Sequence, residues 1–115
     1  MKGRNIPVLL QEIVDNINHI RQLTKEISYE EFLDNDLAYI ATMECIKKIS
    51  GAAEQIPTIV RVKHSLIPWD VTAGLFAGVR STDTGTDPVK VWKAATEYLP
   101  AIKPRIEQML DESLQ

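Results

Sequence analysis

Apolar residues recur at intervals of three and four along most of the chain, and that period decides the fold class before any motif is considered. Residues 6 to 27 place Val8, Leu9, Ile13, Val14, Ile17, Ile20, Leu23 and Ile27 on one face of a helix of about five turns. Pro7 suits its first turn, where a missing amide N–H costs nothing. Ser28-Tyr29-Glu30-Glu31 then spells a capping box: the serine accepts from the N–H three residues on, and Glu31 reaches back. A short helical turn from Tyr29 to Leu33 follows, and Asp34-Asn35-Asp36 breaks it and caps the next helix. That helix carries Leu37, Ile40, Ala41, Cys45, Ile46, Ile49, Ala53 and Ile56 as its apolar stripe, and Pro57 ends or bends it.

Residues 58 to 67 are read as helix tail and loop, because an isolated strand there would have no partner. Pro68-Trp69-Asp70 starts a new helix with Val71, Leu75 and Phe76 turned inward. Asp87 is a good N-cap and Pro88 a good first residue for the final helix. Its inner face takes Val89, Val91, Trp92, Ala95, Tyr98, Leu99, Ile102, Ile106, Met109 and Leu110, with kinks expected at Pro100 and Pro104. Four main helices and a short one, joined mostly by short connections, make an all-α antiparallel bundle of four to five helices.

The length of 115 residues fits one domain, 1–115. A net charge of −3 argues against a general coat for nucleic acid, though not against a local basic site. The single cysteine, Cys45, permits neither an internal disulfide nor a cysteine-built zinc site, and reads as a small core residue. No apolar run has membrane-spanning length, and the N-terminus has no signal-peptide-like block, so a cytoplasmic protein without membrane association is expected.

No catalytic constellation emerges from residue chemistry alone. His19 and His64 lack metal-like pairing and read as solvated surface residues. Glu30, Glu31, Asp34 and Asp36 cluster where helix N-termini favour acids, so they read as caps rather than a cation site. Trp69 and Trp92 read as core or interface anchors. The polar stretch 81–87 has no glycine pattern suited to a phosphate loop. No cofactor and no metal are expected.

The order of several short pieces resembles the HepT-like family, within the HEPN superfamily of small helical ribonuclease toxins. The pieces are Tyr29-Glu30-Glu31-Phe32-Leu33, the helix end from Ile49 to Pro57, Ile67-Pro68-Trp69, Gly74-Leu75, Asp87 through Val91-Trp92, and Leu99-Pro100. The resemblance covers nearly the whole chain. It implies a HEPN-type bundle that forms a homodimer, with a metal-independent RNA-cleaving cleft at the dimer interface. It also implies a partner, a nucleotidyltransferase antitoxin that silences the toxin by attaching AMP to a tyrosine of the catalytic motif.

That motif reads arginine, four residues, histidine, one residue, tyrosine. Histidine and arginine divide the work of deprotonating a ribose 2′-hydroxyl and stabilising the phosphorane charge. In this chain the family spacing lands on Phe76, Ser81 and Asp83, none of which can do this work. Arg80 is near but out of register, Ala77 replaces the polar residue that usually follows the arginine, and Ala52 stands where the family often has glutamate. The resemblance with this departure implies a HepT-like chain that does not cleave RNA. The alternative is a non-enzymatic subunit that binds a nucleotide at the dimer cleft or serves as a partner of the nucleotidyltransferase; an adjacent nucleotidyltransferase gene separates the two.

The codons offer one origin for the lost motif. Joining the third base of each codon to the first two of the next lets Phe76-Ala77 read as arginine, Ser81-Thr82 as histidine and Asp83-Thr84 as tyrosine. A compensated frameshift between Gly74 and Asp87 would scramble the motif and keep the flanks; scattered substitution or a sequence error would do the same. Ser, Thr, Asp and Gly between 81 and 87 disfavour helix. The helix from Pro68 or Trp69 should therefore end near Gly78 to Arg80, with an exposed loop up to Asp87. Phe76 should fill the space left by the arginine, since burying an aromatic gains roughly 1.5–3 kcal/mol.

Overall fold

The polypeptide starts its first helix at the side chain of Asn5, which accepts from the Val8 amide at 3.0 Å. In the computed structural model, which describes residues 5–81 and 85–113, this helix, α1, spans Ile6–Thr24 with Pro7 in its first turn. Ser28 and Glu31 form the expected capping box at the head of α2, Tyr29–Asp34. Asn35 ends α2 and caps α3, Asp36–Glu54, through the Ala38 amide. Three helices in succession therefore carry their start signals in their own sequence.

The buried stripe of α3 is Ala38, Thr42, Cys45, Ile46, Ile49, Ser50, Ala52 and Ala53. Leu37 and Ile40, expected on that stripe, are instead 82% and 64% exposed. The stripe turns about the helix through Thr42 and Ser50, two polar residues that a purely apolar count passes over. Both are buried, and the Thr42 hydroxyl has no hydrogen-bond partner among the described residues.

The stretch after Pro57 is a helix of its own, α4, Thr58–Lys63, rather than a tail and loop. Pro57 cannot continue α3, but its fixed φ suits the residue before a new helix. Arg61 then reaches back from α4, donating to the Ala53 carbonyl at 2.8 Å and the Ile56 carbonyl at 3.0 Å. A cation thus satisfies the carbonyls at the end of α3. No residue of α4 is buried, and Ile59 and Val62 face outward.

Trp69–Ala73 forms α5 and Leu75–Gly78 forms α6, with Gly74 between them. Arg80–Ser81 (β1) and Gly85–Thr86 (β2) pair antiparallel, Arg80 with Thr86 and Ser81 with Gly85. Gly85 has φ +100°, a region L side chains rarely adopt. Where an exposed loop is expected the described residues thus form a short ladder, while the helix does end at Gly78 as the sequence predicts. Asp87 caps α7, Pro88–Lys93, through Val89 and Lys90.

From α7 the chain passes through a π-helical segment, Ala94–Tyr98, into α8, Leu99–Ser113. Pro100 has no N–H to close the usual bond to Thr96, and the Leu99 amide bonds instead to the Ala94 carbonyl. The expected disturbance at Pro100 thus takes the form of a wider turn, and Pro104 is carried inside α8. Val71 and Val89, read as inward, are about half exposed, because Thr72 and Val91 take the buried positions.

The core lies between α1, α3 and the α7–α8 helix, filled by Leu9, Leu10, Ile13, Ile17, Ile20, Ile46, Ile49, Val91, Leu99 and Ile106. Phe32, fully buried, packs against Tyr39 and Trp92 with ring centroids 5.2 and 5.1 Å apart, and Tyr29 adds a contact to Trp92. Fold class and helix order are those of an all-α bundle.

Candidate functional site

An uninterrupted helix from Trp69 to Gly78 would join the Thr72 carbonyl to the Phe76 amide. Here the Ser50 hydroxyl, from α3, stands between them. It accepts from the Phe76 N–H at 2.9 Å and donates to the Thr72 carbonyl at 3.2 Å. One side chain inserted into the ladder separates α5 from α6. Gly74 sits at the break, where an added Cβ would come 3.1 Å from the Asp70 carbonyl oxygen.

A second polar link ties α5 to the π segment. The Thr72 hydroxyl donates to the Pro68 carbonyl at 3.0 Å and lies 2.7 Å from the Tyr98 hydroxyl. Burial pushes the Tyr98 phenol above its ordinary pKa, opposed by the Thr72 hydrogen bond. The hairpin is anchored separately: the Tyr39 hydroxyl bonds Thr86 Oγ1 at 2.5 Å, and the Asp87 amide donates to the Val79 carbonyl at 2.7 Å.

Two of the residues that the resemblance sets at the catalytic spacing, Phe76 and Ser81, fall on this segment. Phe76 is half-buried in α6 and packs on the core cluster. The Arg80 guanidinium lies over its ring, 5.4 Å from the centroid. Ser81 is the last residue of β1, and Asp83 lies outside the described residues. Ala77 is exposed and Ala52 is buried. The structure thus brings Phe76 and Arg80 together and ties Phe76 to Ser50.

Neither histidine joins them. His19 projects from α1, exposed, with Nδ1 3.5 Å from Cys45 Sγ. His64 follows α4, and its carbonyl accepts from Trp69 Nε1 at 3.1 Å. Cys45 is buried; burial raises its thiol pKa, with Lys48 pulling it down and Glu44 pushing it up. A thiol held neutral is a poor nucleophile. Among the described residues no group of His, Cys, Asp and Glu is placed to hold a metal ion, and no helix is long and apolar enough to cross a membrane.

Sequence reasoning missed the roles of Ser50, Thr72 and Tyr98. The available signal was a serine and a threonine at core positions of helical stripes, each needing a partner once buried.

A family profile described as ribonuclease HepT-like matches residues 13–109, from within α1 to within α8. The chain belongs to the HepT-like family. Two relatives in Methanocaldococcus jannaschii, both named as candidate RNases, are each 30% identical over 112 residues. That is 97% of this chain in both cases, and 97% and 93% of the relatives. A Thermococcus cleftensis protein, named as a candidate ribonuclease HepT, is 28% identical over 87% of this chain and 91% of its own. No solved structure gives a significant match.

Proposed function

We propose that this HepT-like chain keeps the scaffold of a ribonuclease family but does not cleave RNA by the arginine–histidine mechanism. Its role is that of a non-cleaving, cytoplasmic, dimeric member of a toxin–antitoxin pair that engages a nucleotidyltransferase. The observation that carries the reading is the half-buried Phe76 ring beneath Arg80, in a chain with no histidine after His64; Phe76 is the residue that the resemblance matches to the catalytic arginine. A general base for the 2′-hydroxyl needs a pKa near the working pH, and neither Ser81 nor Asp83 supplies an imidazole. Arg80 offers a charge without a base beside it at the family spacing. With Asp83 in place of the tyrosine, the chain also has no phenol there to receive AMP.

Two assays test this. Single-stranded RNA is incubated with this chain, with one of the M. jannaschii relatives, and with the triple variant Phe76→Arg, Ser81→His, Asp83→Tyr. Cleavage is expected from the relative and the triple variant and not from the parent chain. Parent cleavage that disappears on changing Arg80 or Ser81 overturns the proposal by revealing a rearranged site. Mass spectrometry after incubation with the partner nucleotidyltransferase and ATP is expected to show no AMP adduct on the parent, Tyr29, Tyr39 and Tyr98 included.

A further inference from the structure

Two groups of apolar side chains stand in solvent, one at each end of α3. At its head Leu37 and Ile40, three residues apart on one helical face, are mostly exposed. Past its tail Ile59 and Val62 of α4, and Leu66 after it, are each at least 70% exposed. Single exposed apolar residues are ordinary, whereas grouped ones mark a contact surface. The two groups differ in shape. Leu37 and Ile40 project from a helix. Val62 lines a hollow of about 460 Å³ between α4 and α5, together with Ile67, Pro68, Trp69 and Val71.

They also differ in charge. Residues 26–46 contain six acids and no lysine, arginine or histidine. Asp36 adjoins Leu37, and Glu44 lies one turn beyond Ile40; neither forms an ion pair among the described residues. Residues 55–69 contain Arg61, Lys63 and His64 and no acid. Asp70, which also lines the hollow, has Arg61 at 3.6 Å. Arg105 lines the neighbouring hollow with Lys63 and Leu66, where Glu112 accepts from Gln108. An acidic apolar projection and a basic apolar hollow are complementary. Within one chain they lie apart. Arg61 holds α4 at the tail of α3 through the Ala53 and Ile56 carbonyls. From Ile40 to Glu54 the helix advances roughly 20 Å at about 1.5 Å per residue.

We propose that the head of α3 in one copy of this chain docks on the α4–α5 hollow of another. Leu37 and Ile40 pack against the apolar wall of the hollow, and the acids around them face the cations of α4. A second copy is the occupant because the chain itself carries both complementary halves. The contact joins two different faces, so each added copy leaves one face of each kind open, and the assembly grows as a row or closes as a ring. It goes beyond the two-fold homodimer that the family resemblance implies, and it uses neither Phe76 nor Arg80.

Sedimentation of the full chain at rising concentration tests it. The parent chain is expected to pass two copies, and added salt, which screens exposed charges, to weaken the association. Ile40→Lys turns a cation toward the basic face, and Val62→Glu turns an acid toward the acidic one. Each alone should weaken growth past two copies at least tenfold. Both side chains are exposed, so the melting temperature should stay unchanged. An equal mixture of the two variants should be heavier than either alone, because the Ile40→Lys chain keeps its hollow and the Val62→Glu chain keeps its α3 head. A parent chain that stays at two copies or fewer overturns the proposal and leaves these faces to a different protein. Growth that either variant leaves intact, growth that salt strengthens, or a mixture no heavier than its components overturns it as well. RNA cleavage by the parent chain would overturn the function proposed above and leave this contact standing.

Discussion

The first half of the chain and the segment from Pro68 to Thr86 both carry helices, yet they are held in different ways. In α1, α2 and α3 the start of each helix is bonded by a side chain one to three residues away: Asn5, Ser28 and Asn35. In α5 and α6 no side chain caps either start. Their ladder is completed by Ser50 from α3, their flank is tied by Tyr98, and the hairpin hangs from Tyr39. The first region is specified by its neighbours in sequence, the second by groups 22 to 47 residues away. Local coding makes a helix survive on its own terms; borrowed coding makes a segment depend on the fold around it.

The largest effect tests what both regions share. Phe32 is fully buried against Tyr39 and Trp92, so it links the N-terminal helices to α7. Phe32→Ala should cost about 3–5 kcal/mol. Urea unfolding should show the loss in both regions together; a loss confined to one region would mean that they unfold separately.

The contrast itself is broken or sharpened by pairing Ser50→Ala with Asn35→Ala. Removing Ser50 leaves the Phe76 amide and the Thr72 carbonyl without their shared partner, at about 1–3 kcal/mol. Removing the Asn35 cap costs about 1 kcal/mol. Native-state hydrogen exchange should quicken mainly at residues 72–81 for Ser50→Ala and mainly at the start of α3 for Asn35→Ala. If Ser50→Ala slows exchange at Phe76, α5 and α6 have merged into one helix, and the serine is what keeps them apart.

The smallest effect is in alkaline solution. The folded-state pKa values of Tyr98 and Cys45 both lie above their ordinary values because burial disfavours the charged forms. The folded state therefore holds these protons more tightly. Their contribution is fully present below the ordinary thiol and phenol ranges and is lost as pH rises through the folded-state values. Thermal melts across that range should show stability falling with pH, and Tyr98→Phe should reduce the slope. An unchanged slope would show that the phenol is not desolvated by folding.

Legibility followed the same division. Pro7, the Ser28–Glu31 box, Asn35, Asp87 and Pro88 act over one helical turn, so the sequence alone locates the helix starts they control. The end of α6 at Gly78 was legible because Ser, Thr and Gly compete with helix locally. Leu37 and Ile40 were misplaced because the face of α3 is chosen by its neighbours, with Thr42 and Ser50 buried instead. Helix α4 was missed because Arg61 reaches back across Pro57, which no periodicity reports. In the candidate site, the positions matching the family spacing could be counted along the chain. The insertion of Ser50 between Thr72 and Phe76 depends on contacts between segments distant in sequence.

The bond from the Asp87 amide to the Val79 carbonyl joins two main-chain atoms. Main-chain atoms are the same for nearly every residue type, so this join fixes how many residues lie between the two ends and is indifferent to which they are. Apart from Gly85, whose positive φ favours glycine, and Thr86, held by Tyr39, the stretch it encloses is a place where wording can be rewritten without moving the punctuation. Replacements elsewhere in it that preserve length leave α7 starting where it did, while an insertion or deletion left uncorrected would displace it. Variation in this part of the family should accordingly be wide in identity and narrow in length.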